Sequence, residues 1–282
     1  LDWFINPDHA PLLVAQQIGA YKEEGLDVQL IPPADATMGP KLVAAGQGDI
    51  ALTAEPQFLE QRAAGLELVR IGVLIDHSLS TLVVLKSAGI DRLAGLRGKR
   101  IGYGSGEVEK MMVGVMLHRA GLSLNDVKMV QIGEQLTVAL LSHQVDAVSV
   151  YRNFEPLELR LHGAPTIGFD YETNGVPPFD DLIMVARARE AADPRLPRFL
   201  RATARGLAYL RAHPAEAWDL VRRAYPDLDD ELNHLAWDAT LPYFAADPAS
   251  LDLGRYDRFE SLLYTHGLVT AMEPATAYTI TP

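Results

Sequence analysis

Along residues 1 to about 85 the spacing of apolar positions switches repeatedly between two periods, and each switch marks an element. LDWFI (1–5) and LDVQLIP (26–32) read as strands, the second ended by Pro32 and Pro33. Between them PLLVAQQIGAYKEEG places apolar residues three and four apart, which predicts a helix that stops at Gly25. MGPKLVAAGQG predicts a short helix, DIALTA a buried strand, EPQFLEQRAAG a helix closed by Gly65, and ELVRIGVLI another strand. Strands alternating with helices in this way predict βαβ units and mostly parallel sheets.

The alternation continues through the strand TLVVLK, the run DRLAGLRGKRIGYG, the helix EVEKMMVGVMLHRAGL and the strand VKMVQIG. TVALLSHQ, the strand VDAVSVY, a short helix from about Phe154 to His162 and the strand PTIGFDY follow. NGVPPFDD breaks the rhythm, LIMVA restores a strand, and from about residue 193 to 272 the pattern is helical. Two stretches, VAAGQGDIALTAEP and LLSHQVDAVSVYRNFEP, run in the same order: helix, polar turn, Asp, apolar strand, then a polar cluster with Glu-Pro.

That internal rhyme predicts an α/β protein of two similar lobes, each a mostly parallel sheet flanked by helices. Residues 1–84 with 182–282 form the first, residues 85–181 the second, and hinges fall near 82–86 and 180–186. In open α/β sheets ligands bind outside the carboxyl ends of strands. Between two lobes that edge becomes a cleft.

Composition narrows the chemistry. Of 282 residues, 48% are hydrophobic and 22% charged, the balance of a globular chain, and no apolar run approaches the ~20 residues of a membrane helix. The net charge of −12, with few lysines and no basic cluster, argues against nucleic acid. Without cysteine there is no thiol catalysis, disulfide, zinc–thiolate or iron–sulfur site. The eight histidines are dispersed, with no H-E-x-x-H and no pair four apart, so no metal site is expected. No G-x-S-x-G elbow occurs, and the acid pairs Asp180–Asp181 and Asp229–Asp230 read as solvated loop residues.

Three stretches remain as candidates. In GYGSGEVEK, Ser105 and Glu107 sit where a helix begins; they could bind an anion there, or Ser105 could simply cap the helix. In YRNFEP an aromatic ring (Tyr151), an amide (Asn153) and a carboxylate (Glu155) follow a buried strand. That set suits a flat, nitrogen-rich ring whose N–H groups a carboxylate accepts, although Glu155 could equally cap the next helix. At the amino end, Trp3, Asn6 and His9 combine in LDWFINPDHA, where a structural role for His9 is the alternative.

LDWFINPDHAPLLVA, YKEEGLDVQL, KLVAAGQGDIAL with EPQ, YRNFE and NGVPPF together resemble the periplasmic substrate-binding proteins of ABC importers for thiamine pyrimidine precursors. A pyrimidine synthase that uses pyridoxal phosphate shares this superfamily. The resemblance covers residues 1 to about 215 and implies a two-lobed monomer that closes on a formylated or free aminopyrimidine. It implies a ligand set of Trp3, Asn6 and His9 on the first wall, Glu55 from EPQ, and Ser105, Glu107, Tyr151, Asn153 and Glu155 on the second. It further implies a permease partner, no cofactor, and an extracytoplasmic location with a signal peptide ahead of Leu1. Two aromatic positions depart from the family pattern: Ala54 before E-P-Q, and Asp180 after Phe179. The synthase's Schiff-base lysine and sacrificial histidine have no counterpart in TAEPQFLEQRAAG, which holds neither residue type. A sensor domain for another heterocycle, such as a flavin, is the third reading.

Overall fold

The computed structural model describes residues 1–35, 37–104, 106–133 and 135–281. Among them the strands run β1 (Ile50–Thr53), β2 (Leu68–Ile75), β3 (Ser80–Leu85), β4 (Arg100–Tyr103), β5 (Lys128–Gln131), β6 (Ala147–Tyr151), β7 (Thr166–Asp170) and β8 (Leu182–Arg187). The α-helices are α1 (Ala10–Gln17), α2 (Ala20–Glu23), α3 (Met38–Ala44), α4 (Glu55–Ala63), α5 (Glu107–Arg119) and α6 (Leu136–Leu141). They continue as α7 (Glu155–Leu161), α8 (Arg195–Ala212), α9 (Pro214–Ala224), α10 (Glu231–Thr240) and α11 (Leu253–Thr265).

Two compact units share the chain. Leu1–His77, Phe179–Ser261 and Val269–Pro282 make the first; Ser78–Pro178 with Leu262–Leu268 make the second. The strand-to-strand crossings therefore fall at 77/78 and 178/179. β3 belongs to the second unit because both of its ladder partners, β6 and β7, lie there.

In the first unit the strand order is β1-β8-β2, and β8 runs antiparallel to both neighbours. The expectation of mostly parallel strands does not hold for this sheet, since β8 arrives on the chain's return, more than 100 residues after β2, and pairs Ile183 with Thr53 and Leu182 with Ile75. Its start thus shares an edge with the ends of β1 and β2. Residues 1–5 and 26–32 form no ladder. The Leu1 amine donates to the Ile31 carbonyl at 2.9 Å, Asp2 is taken up by a side-chain partner, and Pro32 and Pro33 bring no N–H to pair.

The predicted helix over 11–25 is two helices. α1 ends before Gly19, whose φ of 76° is left-handed, and α2 resumes at Ala20. α1 packs along α8, where Leu196, Phe199, Leu200, Thr203, Gly206, Leu207 and Leu210 form a buried stripe at helical spacing. The helices are in close contact at Gly206, where an added Cβ would come within 2.3 Å of the Pro11 carbonyl. Tyr21 stacks on Phe199 with centroids 5.3 Å apart, and its hydroxyl meets Thr203 Oγ1 at 3.0 Å. On the exposed flank Arg201 and Arg205 pair with Glu24 and Glu23 at 2.7 and 2.5 Å.

The second unit has the order β5-β4-β6-β3-β7. β4 is parallel to β5 and β6, as the alternation predicts, whereas β3 is antiparallel to β6 and β7. The carboxyl ends of β4, β5, β6 and β7 consequently meet the start of β3 along one edge. Val83, Leu85, Leu140, Val148, Val150 and Leu159 close the core beneath β3 and β6.

Candidate functional site

In the first unit the motif D-W-x-x-N-x-x-H folds onto itself. Pro7 opens a turn of 3-10 helix over Pro7–His9, capped by Asn6. Asn6 Oδ1 accepts the Asp8 N–H at 2.9 Å and Asn6 Nδ2 donates to the Phe4 carbonyl at 3.0 Å. His9 is wholly buried; its Nδ1 accepts the Asn6 N–H at 3.3 Å, so the ring proton sits on Nε2 and is donated to Asp2 Oδ1 at 2.7 Å. Burial is the largest single influence on the Asp2 carboxyl and pushes it up, but the His9 hydrogen bond, a backbone hydrogen bond and nearby positive charge together outweigh it and leave the group below the ordinary range. Asn6 and His9 thus spend their polar groups on the loop itself. What the loop carries outward is the half-buried Trp3, tilted against exposed Phe4 with centroids 5.8 Å apart.

Glu55 starts α4 directly after β1 and is wholly buried. Its Oε2 accepts the Asp180 N–H at 2.8 Å, and its own N–H donates to the Asp180 carbonyl at 3.0 Å. Against the expectation of a solvated loop acid, Asp180 is buried, as is Asp181, because α11 delivers partners to Asp180. Tyr256 donates its hydroxyl to Asp180 Oδ2 at 2.8 Å, and Arg255 Nη1 donates to Oδ1 and to the Asp76 carbonyl. Arg70, buried in β2, donates Nε to the Tyr256 hydroxyl at 3.3 Å. Desolvation and then the Asp180 charge push the Glu55 carboxyl well above the usual range. Desolvation also raises Asp180, against the opposing pull of Arg255 and Tyr256. At the two positions that depart from the family pattern, buried Ala54 ends the β1 segment and the Asp180 cluster occupies the other; neighbouring Phe179 packs edge-on against Phe259 at 5.2 Å.

In the second unit the parallel pairing of β4 and β6 sets their following loops side by side. Gly106, at φ 87°, precedes α5, whose first residue Glu107 is exposed and faces Lys110 at 3.4 Å. Ser105 lies outside the described residues. The loop is closed by Glu109, whose Oε2 accepts the Gly104 N–H at 3.1 Å. At the end of β6, Tyr151 is 37% exposed and Asn153 is buried, and Glu155 begins α7 with its Oε2 accepting the Tyr151 N–H at 2.9 Å. Tyr151, Asn153 and Glu155 therefore share one tight turn, on the same sheet edge as Glu107.

Sequence reasoning missed Arg152, which sits inside that turn. Its guanidinium pairs with Glu172 at 2.7 Å and Asp170 at 3.2 Å, and its Nε and Nη2 donate to the Leu79 and Ser80 carbonyls at 3.5 Å each. It ties the end of β6 to the end of β7 and the start of β3. Arg70 was missed too. The signal in each case was a lone arginine in or just after an otherwise apolar strand run. Among the described residues no cluster of three or more His, Asp or Glu could hold a metal ion, and no helix is long and apolar enough to cross a membrane.

Two α/β units, the first with an antiparallel sheet and the second with a mixed one, linked by two strand crossings, define a chain of the periplasmic-binding-protein fold. Among solved structures it resembles the alkanesulfonate-binding protein of Xanthomonas axonopodis pv. citri, with a TM-score of 0.77 at 16% identity over 98% of this chain and 96% of that one. It also resembles a Candida albicans gene product described as having the generic periplasmic binding protein fold, with a TM-score of 0.70 at 16% identity over 98% and 94% of the two chains. Within that fold the chain belongs to the NMT1/THI5-like family, whose model matches residues 6–217. A Haemophilus influenzae protein named for thiamine biosynthesis is 42% identical over 95% of this chain and 86% of its own length. The 4-amino-5-hydroxymethyl-2-methylpyrimidine phosphate synthase of Legionella pneumophila is 31% identical over 94% and 87%. The formylaminopyrimidine-binding protein of Halalkalibacterium halodurans is 29% identical over 78% and 68%.

Proposed function

We propose that the chain is the substrate-binding component of an ABC importer and captures a thiamine pyrimidine precursor, a formylated or free aminomethyl- or hydroxymethylpyrimidine, by closure of its two units. The observation that carries this reading is the Tyr151–Asn153–Glu155 turn in a relative of the formylaminopyrimidine-binding protein. A ring that can stack, a buried amide and a carboxylate held at a strand's carboxyl end suit the face and amino edge of an aminopyrimidine. Trp3 supplies a second ring from the first unit, on a loop that the Asp2–His9–Asn6 bonds hold rigid. Glu107 belongs to this proposed set at the rim of the second unit, and Ser105 belongs to it by the sequence motif alone. Glu55 enters it from behind, as the buried support of the β1 end rather than as a ligand contact. The ligand leaves unchanged, handed to a permease, and the protein works outside the cytoplasmic membrane.

The Legionella relative's name supports a second reading, a pyrimidine synthase. Imine formation with pyridoxal phosphate needs a lysine. The stretch Thr53–Gly65, where the superfamily enzyme carries one, holds none. Calorimetric titration with the formylated and free pyrimidines, beside incubation with pyridoxal phosphate, separates the two. Binding without an imine absorbance band supports the importer reading. An imine band with release of the pyrimidine, or no affinity for any pyrimidine tested, overturns it. Glu155→Ala should weaken pyrimidine binding roughly tenfold to a hundredfold, the range for a hydrogen bond to a charged group.

A further inference from the structure

The family model stops at residue 217, yet α11, at 253–265, reaches the two strand crossings. Asp76 is the second residue before the crossing at 77/78, and Asp180 the second after the crossing at 178/179. One guanidinium nitrogen of Arg255 donates to both, to the Asp76 carbonyl and to Asp180 Oδ1. The next residue, Tyr256, holds the other carboxylate oxygen of Asp180 at 2.8 Å. The Asp180 N–H and carbonyl are bonded to Glu55, so each polar atom of this residue has a partner. The adjacent Asp181 N–H donates to the Ile75 carbonyl at 3.0 Å, which joins the two segments directly. α11 itself contributes to both units, the first through Ser261 and the second from Leu262.

We propose that Arg255 and Tyr256 form a clamp that fixes both crossing segments at their first-unit ends, making them positioning residues for ligand capture. A closing motion needs pivots that absorb dihedral change and anchors that do not move with it. The clamp makes 75–76 and 180–182 the anchors and leaves the bend to residues 77–79 and 177–179, with α11 carrying a third crossing at 261/262. Arg suits the site because the two N–H groups of Nη1 are fixed in the guanidinium plane, one for each acceptor, whereas a lysine ammonium on a flexible stem holds them less firmly. The clamp itself is independent of any ligand; its effect on capture rests on the binding reading.

Hydrogen–deuterium exchange on the intact chain tests it, comparing wild type with Arg255→Met, Arg255→Lys and Tyr256→Phe. Exchange in peptides covering 75–81 and 177–183 should speed up by roughly tenfold to a hundredfold in Arg255→Met and by less in the other two. Peptides from α1, α8 and β4 should stay at wild-type rates. Unchanged crossing peptides in a folded Arg255→Met protein overturn the clamp. A uniform rise across the first unit in the milder Arg255→Lys and Tyr256→Phe proteins also overturns it, since it would mark a general stabiliser. With 4-amino-5-hydroxymethyl-2-methylpyrimidine as probe, the Kd of Arg255→Lys should rise while its melting temperature stays near wild type. If wild type does not bind the probe, the capture reading fails while the exchange result still decides the clamp.

Discussion

His9 Nε2 lies 2.7 Å from the Asp2 carboxylate while the opposite ring nitrogen accepts the backbone N–H of Asn6. One buried imidazole thus closes the loop on both sides and fixes the direction in which Trp3 leaves it. The histidine holds the loop that presents Trp3.

Removing it should be felt in stability first. His9→Ala leaves the Asn6 N–H and the Asp2 carboxylate without their partner and opens a cavity. A loss of about 2–3 kcal/mol is expected, read as a lower denaturant midpoint with an unchanged slope.

Asp2 gives the pH signature of the same bond. Its folded pKa is depressed, so its contribution is present above the unfolded value and is lost as pH falls through the folded one. The stability gap between wild type and Asp2→Asn should be about 1 kcal/mol at pH 7, with the carboxylate partly open to solvent, and should close as the pH drops below about 4. A gap that stays constant down to pH 3 would remove the ionised carboxylate from the account.

Gly206 is a point of close approach between α1 and α8. In an exposed helix Gly→Ala gains up to ~1 kcal/mol from propensity. Here the new methyl would come within 2.3 Å of the Pro11 carbonyl and 2.7 Å of Ala15 Cβ, so backbone must shift. Gly206→Ala should therefore cost about 1–3 kcal/mol net, the usual range for overpacking, and lower the melting temperature by several degrees. A neutral or stabilising result would show that the two helices can part at this point.

Much of this architecture was legible because it is local. The change from alternating to helical spacing marks β1 to β3, β5 to β8 and α4 through α8, while β4 lies in a run the spacing leaves unassigned, and the rhyme ending in Glu-Pro marks two α/β units. Strand direction was not legible in the first unit, for β8 meets β1 and β2 only after an intervening unit of about 100 residues. Gly19 was hidden by helical spacing that continues across it, though its left-handed φ ends α1. The site divided the same way. Tyr151, Asn153 and Glu155 lie on one turn and could be read together. Asp180 reads as a solvated loop acid because the residues that bury it, Arg255 and Tyr256, lie 75 and 76 positions away. A local pattern cannot report a partner at that distance.

Glu55 carries the opposite pH signature from Asp2. Burial and the Asp180 charge raise its folded pKa, so the folded state prefers the protonated form. Its penalty is absent below the unfolded pKa and grows as pH rises toward the folded one. A single proton gives a slope of at most about 1.4 kcal/mol per pH unit in that window. Glu55→Gln keeps an oxygen for the Asp180 N–H and cannot ionise, so its stability should be flatter than wild type's between pH 5 and 8, and the two curves should converge toward pH 5. Parallel curves would mean that Glu55 is ionised throughout.

Arg152 separates support of the recognition turn from contact with the ligand. Its guanidinium is largely buried between Asp170 and Glu172, at 3.2 and 2.7 Å, and removing it leaves those two acids facing a vacated cation site. Arg152→Met should lower stability by about 2 kcal/mol, and Arg152→Lys by less, because a lysine keeps the charge but not the fork. Affinity for an aminopyrimidine should fall in parallel for both variants, since the same bonds hold Tyr151 and Asn153 on either side. Glu155→Ala should behave differently, losing affinity with a much smaller change in melting temperature. If Arg152→Met lost stability but kept full affinity, the turn would hold its shape without the arginine, and β6 alone would be enough to aim Tyr151.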